Sequence, residues 1–180
     1  MANLTADSKI NYQGPSPIQT KSIVISGTIQ LYVGSLLIYS SGLAAKNVNG
    51  SNCIGVAVAG GVPGSNPVLD GFNLQSLPIP MIGPGNSATA PSGGANRVIV
   101  EQGAFTWQQV TLTIAGTLTG ATSDVNKLLY GGNTDNIADA TTTQPGTDKP
   151  LGYISKFYSK TATTAIYDIF FFDYESRLGQ

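Results

Sequence analysis

The sequence predicts an all-β protein, because three features of this 180-residue chain favour strands over helices. Helical periodicity is nearly absent. Most apolar segments are short, rich in β-branched or aromatic residues, and bounded by Gly, Asn or Ser, as strands are. Turn formers are abundant, with 22 Gly and 10 Pro, as a chain of many short connected strands requires.

The low content of charged residues predicts a folded protein whose surface contacts other proteins. Only 11% of the residues are charged and the net charge is −1, whereas a typical soluble domain has about 25% charged residues. The hydrophobic share of 41% argues against disorder, which combines low hydrophobicity with high net charge. Weakly charged surfaces are typical of interfaces, because interface cores are depleted in charge.

The missing residue types argue against several classes of function. The chain has no histidine, the commonest general base and metal ligand. Cys53 is the only cysteine, so we expect neither an intrachain disulfide nor a Cys-based zinc site, but a small buried hydrophobe. The basic footprint of a nucleic-acid binder is missing. No apolar run reaches the roughly 20 residues of a membrane helix, and "MANLTADSKI" has no signal-peptide core. We therefore expect no enzyme, no cofactor, no metal, no nucleic-acid partner and no membrane partner.

The first third of the chain predicts an extended arm followed by strands. Residues 1–20 contain "NYQGPSPIQT", which is too polar and too rich in proline to build a core. The strands are predicted in "KSIVISGTIQLYV", "SLLIYSSGLAAKN" and "NCIGVAVAG", with "SSG" as a turn.

Residues 60–96 form a long Gly/Pro-rich insert. Its prolines exclude a run of central strands, because proline cannot donate a backbone hydrogen bond. Its many apolar residues are unusual for a solvated linker, and we expect it to pack on the domain itself, on a neighbouring copy or on a partner.

The stretch "RVIVEQGAFTWQQVTL" contains the single tryptophan of the chain. Phe105 and Trp107 lie on one face of a predicted strand, and Gly103 lets that strand bend. Aromatic residues in an alternating strand are more often core than a binding platform. We therefore interpret Phe105 and Trp107 as the core scaffold.

The last third predicts a short helical turn and a hairpin. In "SDVNKLLYGG", Ser123 is the expected cap and Asp124 lies in the first turn. "LGYISKFYS" and "TAIYDIFFFDYES" predict two antiparallel strands joined by "KTAT". The second of them is apolar on both faces, which suits a central strand or one covered by another subunit.

Two segments of the sequence resemble each other. Each has Leu-Leu and Tyr, then a polar stretch, then an apolar-Gly-apolar motif, which is Ile54-Gly55-Val56 in the first and Leu151-Gly152-Tyr153 in the second. Either the chain contains a duplicated unit or two β-hairpins happen to look alike.

Two groups of acidic residues are candidates for chemistry. Asp135 and Asp139, with Asn133 nearby, have spacing that suits calcium, but the loop lacks the glycine turn and final Glu of the helix–loop–helix site. Asp168, Asp173 and Glu175 could supply a carboxylate pair for glycoside hydrolysis. The simpler interpretation is that these are solvated charges at strand edges.

The segments "IGVAVAG" and "RVIVEQGAFTWQQVTL", with the lead-in "GTIQLYVGSLLIYSSGLAAKNVNGSNCIGVAV", resemble the lambda-type head decoration proteins of tailed phages, also called capsid cement proteins. The resemblance covers residues 23–59 and 97–115 well and residues 127–172 more loosely. The arm at residues 1–20 and the 60–96 insert are not matched residue by residue.

The resemblance implies a small barrel-like, β-tulip-type decoration domain over residues 21–180 and an extended N-terminal arm over residues 1–20. It implies a homo-oligomer, with a trimer favoured, on the outer surface of the virion capsid after synthesis in the host cytoplasm. There it would stabilise the shell by bridging subunits of the major capsid protein. The arm would add a strand to that protein, through Ile10, Tyr12, Pro15, Pro17 and Ile18.

Two alternatives remain open from the sequence. A receptor- or carbohydrate-binding virion module would need exposed aromatic residues, either in the 60–96 insert or near Tyr153, Phe157 and Tyr158. An enzyme such as a glycosidase or peptidase fragment is the weaker alternative, because histidine is absent and the carboxylate pairs lack supporting residues.

Overall fold

The structure is a computed structural model that describes residues 4, 11–13, 20–24, 31–32, 34–47, 52–59, 68–69, 72–73 and 97–174. These residues form two curled antiparallel sheets and one small two-stranded sheet. The predicted all-β, barrel-like fold is confirmed.

The first sheet, called sheet A, has the strand order β1-β9-β12-β11-β10. Its strands are β1 (Asn11–Gln13), β9 (Phe105–Thr113), β10 (Leu128–Leu129), β11 (Gly152–Lys160) and β12 (Thr164–Phe171). The hairpin predicted from "KTAT" is the β11–β12 pair. β12 is the middle strand of the sheet, which explains why its sequence is apolar on both faces.

The second sheet, called sheet B, has the strand order β2-β8-β5-β3-β4. Its strands are β2 (Thr20–Val24), β3 (Leu36–Ser40), β4 (Leu43–Lys46), β5 (Cys53–Ala59) and β8 (Arg97–Glu101). Within the insert, β6 (Val68–Leu69) pairs with β7 (Phe72–Asn73). The other residues of the 60–96 insert lie outside the described residues, so what the insert packs on stays a prediction.

The chain passes from sheet B to sheet A at Gly103. The sequence suggested one bent strand here, whereas the structure has β8 ending at Glu101 and β9 beginning at Phe105 in different sheets. The Gly103 N–H donates to Glu101 Oε1 at 2.8 Å. This local bond lies where the chain passes from β8 of sheet B to β9 of sheet A.

The buried residues form two hydrophobic clusters, and both sheets contribute to the larger one. The larger contains the inner face of sheet A together with Leu36 and Val56 of sheet B, and the smaller contains Leu37 and Ile54. Neighbouring residues of one strand therefore enter different clusters, because side chains alternate between the two faces of a sheet. The segments "SLLIY" and "CIGVAVA" are continuously apolar because both faces of sheet B are buried.

The predicted helical turn is present as a 3-10 helix over Thr122–Asp124, but Ser123 is not its cap. The cap position is Ala121, and Asp124 organises the turn instead. One Asp124 oxygen accepts from the backbone N–H groups of Gly120 at 2.8 Å and Ala121 at 3.2 Å. The same carboxylate also accepts the Thr119 N–H, and an ionised carboxylate has more acceptor sites than the two lone pairs of a serine hydroxyl.

The two similar segments of the sequence build the same local pairing. Leu37 of β3 lies opposite Gly55 of β5, and Leu129 of β10 lies opposite Gly152 of β11. Both leucines are fully buried. The second leucine of each Leu-Leu pair thus faces the glycine of the apolar-Gly-apolar motif, once in each sheet.

Candidate interaction surfaces

The N-terminal arm forms a strand at the edge of sheet A. Asn11, Tyr12 and Gln13 lie opposite Gln108, Trp107 and Thr106 of β9 in antiparallel register. The other side of β9 pairs with β12 along its whole length, from Phe105 to Thr113. The arm therefore occupies the one edge of β9 that its neighbour in the sheet leaves open.

A second contact holds the arm nearer its start. The backbone N–H of Leu4 donates to Asp135 Oδ1 at 3.0 Å. The other oxygen of that carboxylate, Oδ2, accepts from the Ser35 hydroxyl at 2.9 Å and lies 3.5 Å from Lys46 Nζ. The Asp135 side chain is fully buried, so these groups replace the water that a carboxylate otherwise requires.

The loop that carries Asp135 is fixed to sheet B. The Leu36 N–H donates to the Asp135 carbonyl at 2.8 Å, and Ser35 forms an isolated bridge with Asn136. The fully buried Asn47 donates from Nδ2 to the carbonyls of Gly132 and Thr134, both at 2.8 Å. The part of the chain that follows the N-terminal arm is called the body. Its contacts therefore hold in place the carboxylate that binds the arm.

The predicted arm residues are only partly within the described structure. Tyr12 is the middle residue of β1, and its backbone lies opposite Trp107. Ile10, Pro15, Pro17 and Ile18 lie outside the described residues, so their role stays a prediction.

Phe105 and Trp107 lie in the core. Each is 3% exposed, and both belong to the larger hydrophobic cluster. The Phe105 ring stacks on Phe171 with centroids 4.7 Å apart, and Trp107 lies 6.2 Å from the same ring. These positions leave neither ring available as a binding platform.

The outer face of sheet A carries apolar side chains that the described residues leave partly uncovered. They form one row across three strands, since Leu128 lies opposite Tyr153 and Tyr153 lies opposite Phe170. The Tyr153 ring lies 5.3 Å from Phe170 and 5.9 Å from Phe172. Leu128 is 42% exposed. These four residues, Leu128, Tyr153, Phe170 and Phe172, are called the aromatic patch.

The aromatic residues proposed for a carbohydrate platform do not share one surface. Tyr153 belongs to the aromatic patch, but Phe157 packs against the core and lies 5.7 Å from Tyr167. Tyr158 is exposed and donates from its hydroxyl to Asp168 Oδ2 at 2.9 Å, with Lys156 Nζ 4.4 Å from its ring centroid. β-Bulges in the β11–β12 pair, which the sequence does not reveal, divide this set.

The acidic residues have separate environments. Asp139 Oδ2 accepts the Asn133 N–H at 2.9 Å, whereas Asp135 binds the arm. Asp168 is 7% exposed and accepts the Gln109 N–H at 2.9 Å, at a bulge where Gln109 has φ 55°. Glu175 lies outside the described residues. Within residues 97–174 and the shorter described segments, no three acidic or cysteine side chains are grouped as a metal site.

A shallow groove of about 360 Å³ lies between the end of β9 and the loop after β10. Its lining includes Thr113, Gly132, Asp139, Thr141 and Gln144. The groove offers hydroxyl and amide groups around a single carboxylate, with no aromatic ring in the lining. This is too little chemistry to define a ligand.

Sequence reasoning missed the residues that anchor the arm, which are Ser35, Lys46 and Asn47. Leu4 and Asp135 are 131 positions apart in the chain, and no local pattern signals such a contact. Asn47 lies in the polar stretch "KNVNGSN", so its burial had no local signal either.

Comparison with known proteins finds no matching family model, no matching curated protein and no matching solved structure. Among the residues that the structure describes, no helix is long and apolar enough to span a membrane.

Proposed function

We propose that this chain is a structural virion protein that binds the outer surface of a tailed-phage capsid and stabilises it by bridging subunits of the major capsid protein. The observation that carries the proposal is the pairing of β1 with β9, in which the N-terminal arm completes a sheet through backbone contacts. The resemblance of residues 23–59 and 97–115 to capsid cement proteins supplies the class of partner.

The arm is suited to strand addition. Among the described residues, three residues of the arm pair with β9, and the Leu4 N–H donates a hydrogen bond to Asp135. Extended segments of this kind bind exposed sheet edges, where main-chain hydrogen bonds supply affinity. In the proposal, the arm adds a strand to a capsid subunit in the same manner.

A bridging protein needs two contact regions, and sheet A offers a second one. β1 and β10 are the opposite edges of this sheet, and the aromatic patch lies on β10–β12 and just beyond. Its rings are apolar, and aromatic residues are enriched at the cores of protein interfaces. In the proposal, the arm binds one capsid subunit and the patch contacts its neighbour.

The test is co-sedimentation of the purified chain with expanded shells of the major capsid protein. The full-length chain is compared with a variant that lacks residues 1–13, which leaves β2 intact, and with Tyr153→Ala. We expect saturable binding at a fixed ratio to capsid subunits, weakened by each change. The exposed substitution Ser159→Ala is the matched control, because Ser159 lies near the end of β11 that is far from Tyr153 and is not on β9.

Two results would contradict the proposal. The first is no binding by the full-length chain to either expanded or unexpanded shells. The second is binding that leaves the thermal stability of the shell unchanged, since a cement protein must raise it.

A receptor- or carbohydrate-binding virion module is the second candidate, and the aromatic patch favours it. Partly exposed rings can stack on sugar faces, and Tyr153 adds a hydroxyl. Glycan-array binding by the full-length chain, lost in Tyr153→Ala and retained in Ser159→Ala, would support this candidate in place of the first.

A further inference from the structure

We propose that the outer edge of β9, together with Asp135, is a strand-acceptor site for the N-terminal arm of a second copy of this chain. Copies would then exchange arms, each placing its β1 on the β9 of a neighbour. This inference goes beyond capsid binding and does not depend on it.

The contacts that hold the arm can be made by any copy. The described ones are the backbone register of β1 on β9 and the hydrogen bond from the Leu4 N–H to Asp135 Oδ1. Backbone groups recognise an extended segment wherever it comes from. The arm of a second copy, having the same sequence, would meet the same groups in the same register.

The two contacts of the arm, with β9 and with Asp135, are together called the track. β1 is antiparallel to β9, so the Asn11 end of β1 lies towards the Thr113 end of β9. The 3-10 helix Ile137–Asp139 packs against β9, and Asp135 closely precedes this helix. The track therefore runs from Thr106 to Asp135, and both of its ends belong to the body.

The described core residues lie outside the arm. β9 stays paired with β12 from Phe105 to Thr113. Among residues whose side chains are described, neither hydrophobic cluster contains one before Ile23. An empty track, however, exposes the unpaired edge of β9, and such an edge recruits another strand. Exchange of an identical element between copies restores every contact at little cost.

The length of the connection between the two N-terminal strands limits the exchange. Residues 14–19 join β1 of sheet A to β2 of sheet B, and a connection of this length spans about 20 Å at most. While β2 stays paired with β8 of its own copy, β1 can therefore reach only a neighbour whose β9 lies within this distance.

The test uses two full-length variants, one carrying Asn11→Cys and the other Gln108→Cys. These residues lie directly opposite each other in the register, and opposed residues in antiparallel strands have a Cα separation that a disulfide can span. When the two variants are mixed and oxidised, a disulfide that joins position 11 to position 108 can form only between copies. Peptide mapping by mass spectrometry identifies this disulfide.

We expect the mixed disulfide to form several-fold more than in the control mixture of Asn11→Cys with Thr111→Cys, which is out of register. We also expect its yield to rise with protein concentration. The wild-type chain is a further control, because its only cysteine, Cys53, is buried. Melting profiles establish that each variant is folded.

A single chain carrying both Asn11→Cys and Gln108→Cys gives the complementary result. Disulfides that form only within one chain at every concentration would overturn the inference, because the arm would then stay on its own body. Yields equal to those of the out-of-register mixture would overturn it too. An arm that lies on a neighbouring copy is not free to add a strand to a capsid subunit, so the two proposals compete for the arm. Co-sedimentation measures capsid binding and disulfide mapping measures exchange, so the two proposals can fail separately.

Discussion

The backbone of Gly152 lies directly against the carbonyl oxygen of Phe170 on the neighbouring strand of sheet A, so closely that a Cβ atom at position 152 would overlap it. Gly55 has the same relation to the carbonyl oxygen of Glu101 in sheet B. The glycine of each apolar-Gly-apolar motif is therefore required by the close approach of two strands.

Gly152→Ala should destabilise the fold by about 3 kcal/mol, because the strands β11 and β12 must separate to admit the methyl group. Gly146→Ala is the control, since Gly146 has a positive φ of 55° but no atom within 4 Å of the added carbon. Its backbone strain alone should cost about 1–2 kcal/mol. Urea unfolding of both variants measures the difference, and equal losses would refute the crowding at Gly152.

Trp107→Ala should destabilise the fold by about 3–5 kcal/mol, because it leaves a large cavity in the core. Trp107 is 3% exposed and packs near the stacked pair Phe105 and Phe171. Thr111→Ala, at an exposed position of the same strand, should change stability by about 0.5 kcal/mol or less. A Trp107→Ala variant that melts like the wild type would remove Trp107 from the core.

The fold should lose stability in acid through Asp124. Burial raises the pKa of this carboxyl, but hydrogen bonds from Lys127, Tyr167, Ala121 and Thr119 outweigh that effect and hold the pKa below its ordinary value of 3.8. The ionised form is thus favoured by folding, and its contribution is present above pH 3.8 and lost as the pH falls further. Asp124→Asn should flatten the decline of unfolding free energy between about pH 5 and pH 2. A decline as steep as in the wild type would assign the acid sensitivity to other carboxyls.

The hydrogen-bonded pair Asp124 and Tyr167 should also make the stability of the fold sensitive to high pH. Burial, the hydrogen bond to Asp124 and the charge of Asp124 raise the pKa of Tyr167 above its ordinary value of 10.0. The neutral phenol is thus favoured by folding, and its contribution is lost as the pH rises above 10. In Tyr167→Phe this loss should disappear from the unfolding free energies measured between about pH 9 and pH 12. Tyr158→Phe, an exposed tyrosine, should keep it.

Asp135→Ala should release the arm from the body. The Leu4 N–H, the Ser35 hydroxyl and Lys46 would all lose their shared acceptor. Trypsin should then cleave after Lys9 several-fold faster than in the wild type. Asp139→Ala, in the same loop but bonded to Asn133 instead, should leave this rate unchanged. Equal acceleration of cleavage after Lys156 would indicate general unfolding rather than arm release.

Local patterns in the sequence predict most of the strands. The alternation in "FTWQQVTLT" and the apolar run in "TAIYDIFF" correspond to β9 and β12. These patterns succeed because burial of alternating or continuous apolar residues depends on the strand itself. The division of one predicted strand between two sheets at Gly103 was not predictable, because a bend and a bulge have the same local signature.

The polar contacts of Asp124 and Asp135 could not be predicted from the sequence, for a different reason. Asp124 and Asp135 resemble ordinary loop residues, yet both are fully buried. Their partners Tyr167 and Leu4 are distant in the chain, and only the folded topology brings them together. The glycine motifs were predictable in part. The similarity of their two segments is visible in the sequence, but the close approach of backbone atoms at Gly55 and Gly152 is visible only in the structure.

The N-terminal strands also determine how the chain responds to tension. β1 and β2 lie antiparallel to β9 and β8 on either side of the corner at Gly103. A force that pulls the N-terminus lengthwise acts along the strands and across their hydrogen bonds, which lie perpendicular to an antiparallel pair. The bonds of a strand then share the force and must rupture together in shear. A sideways force instead peels the same strand away one bond at a time, so this attachment is strong in one direction and easily opened in the other.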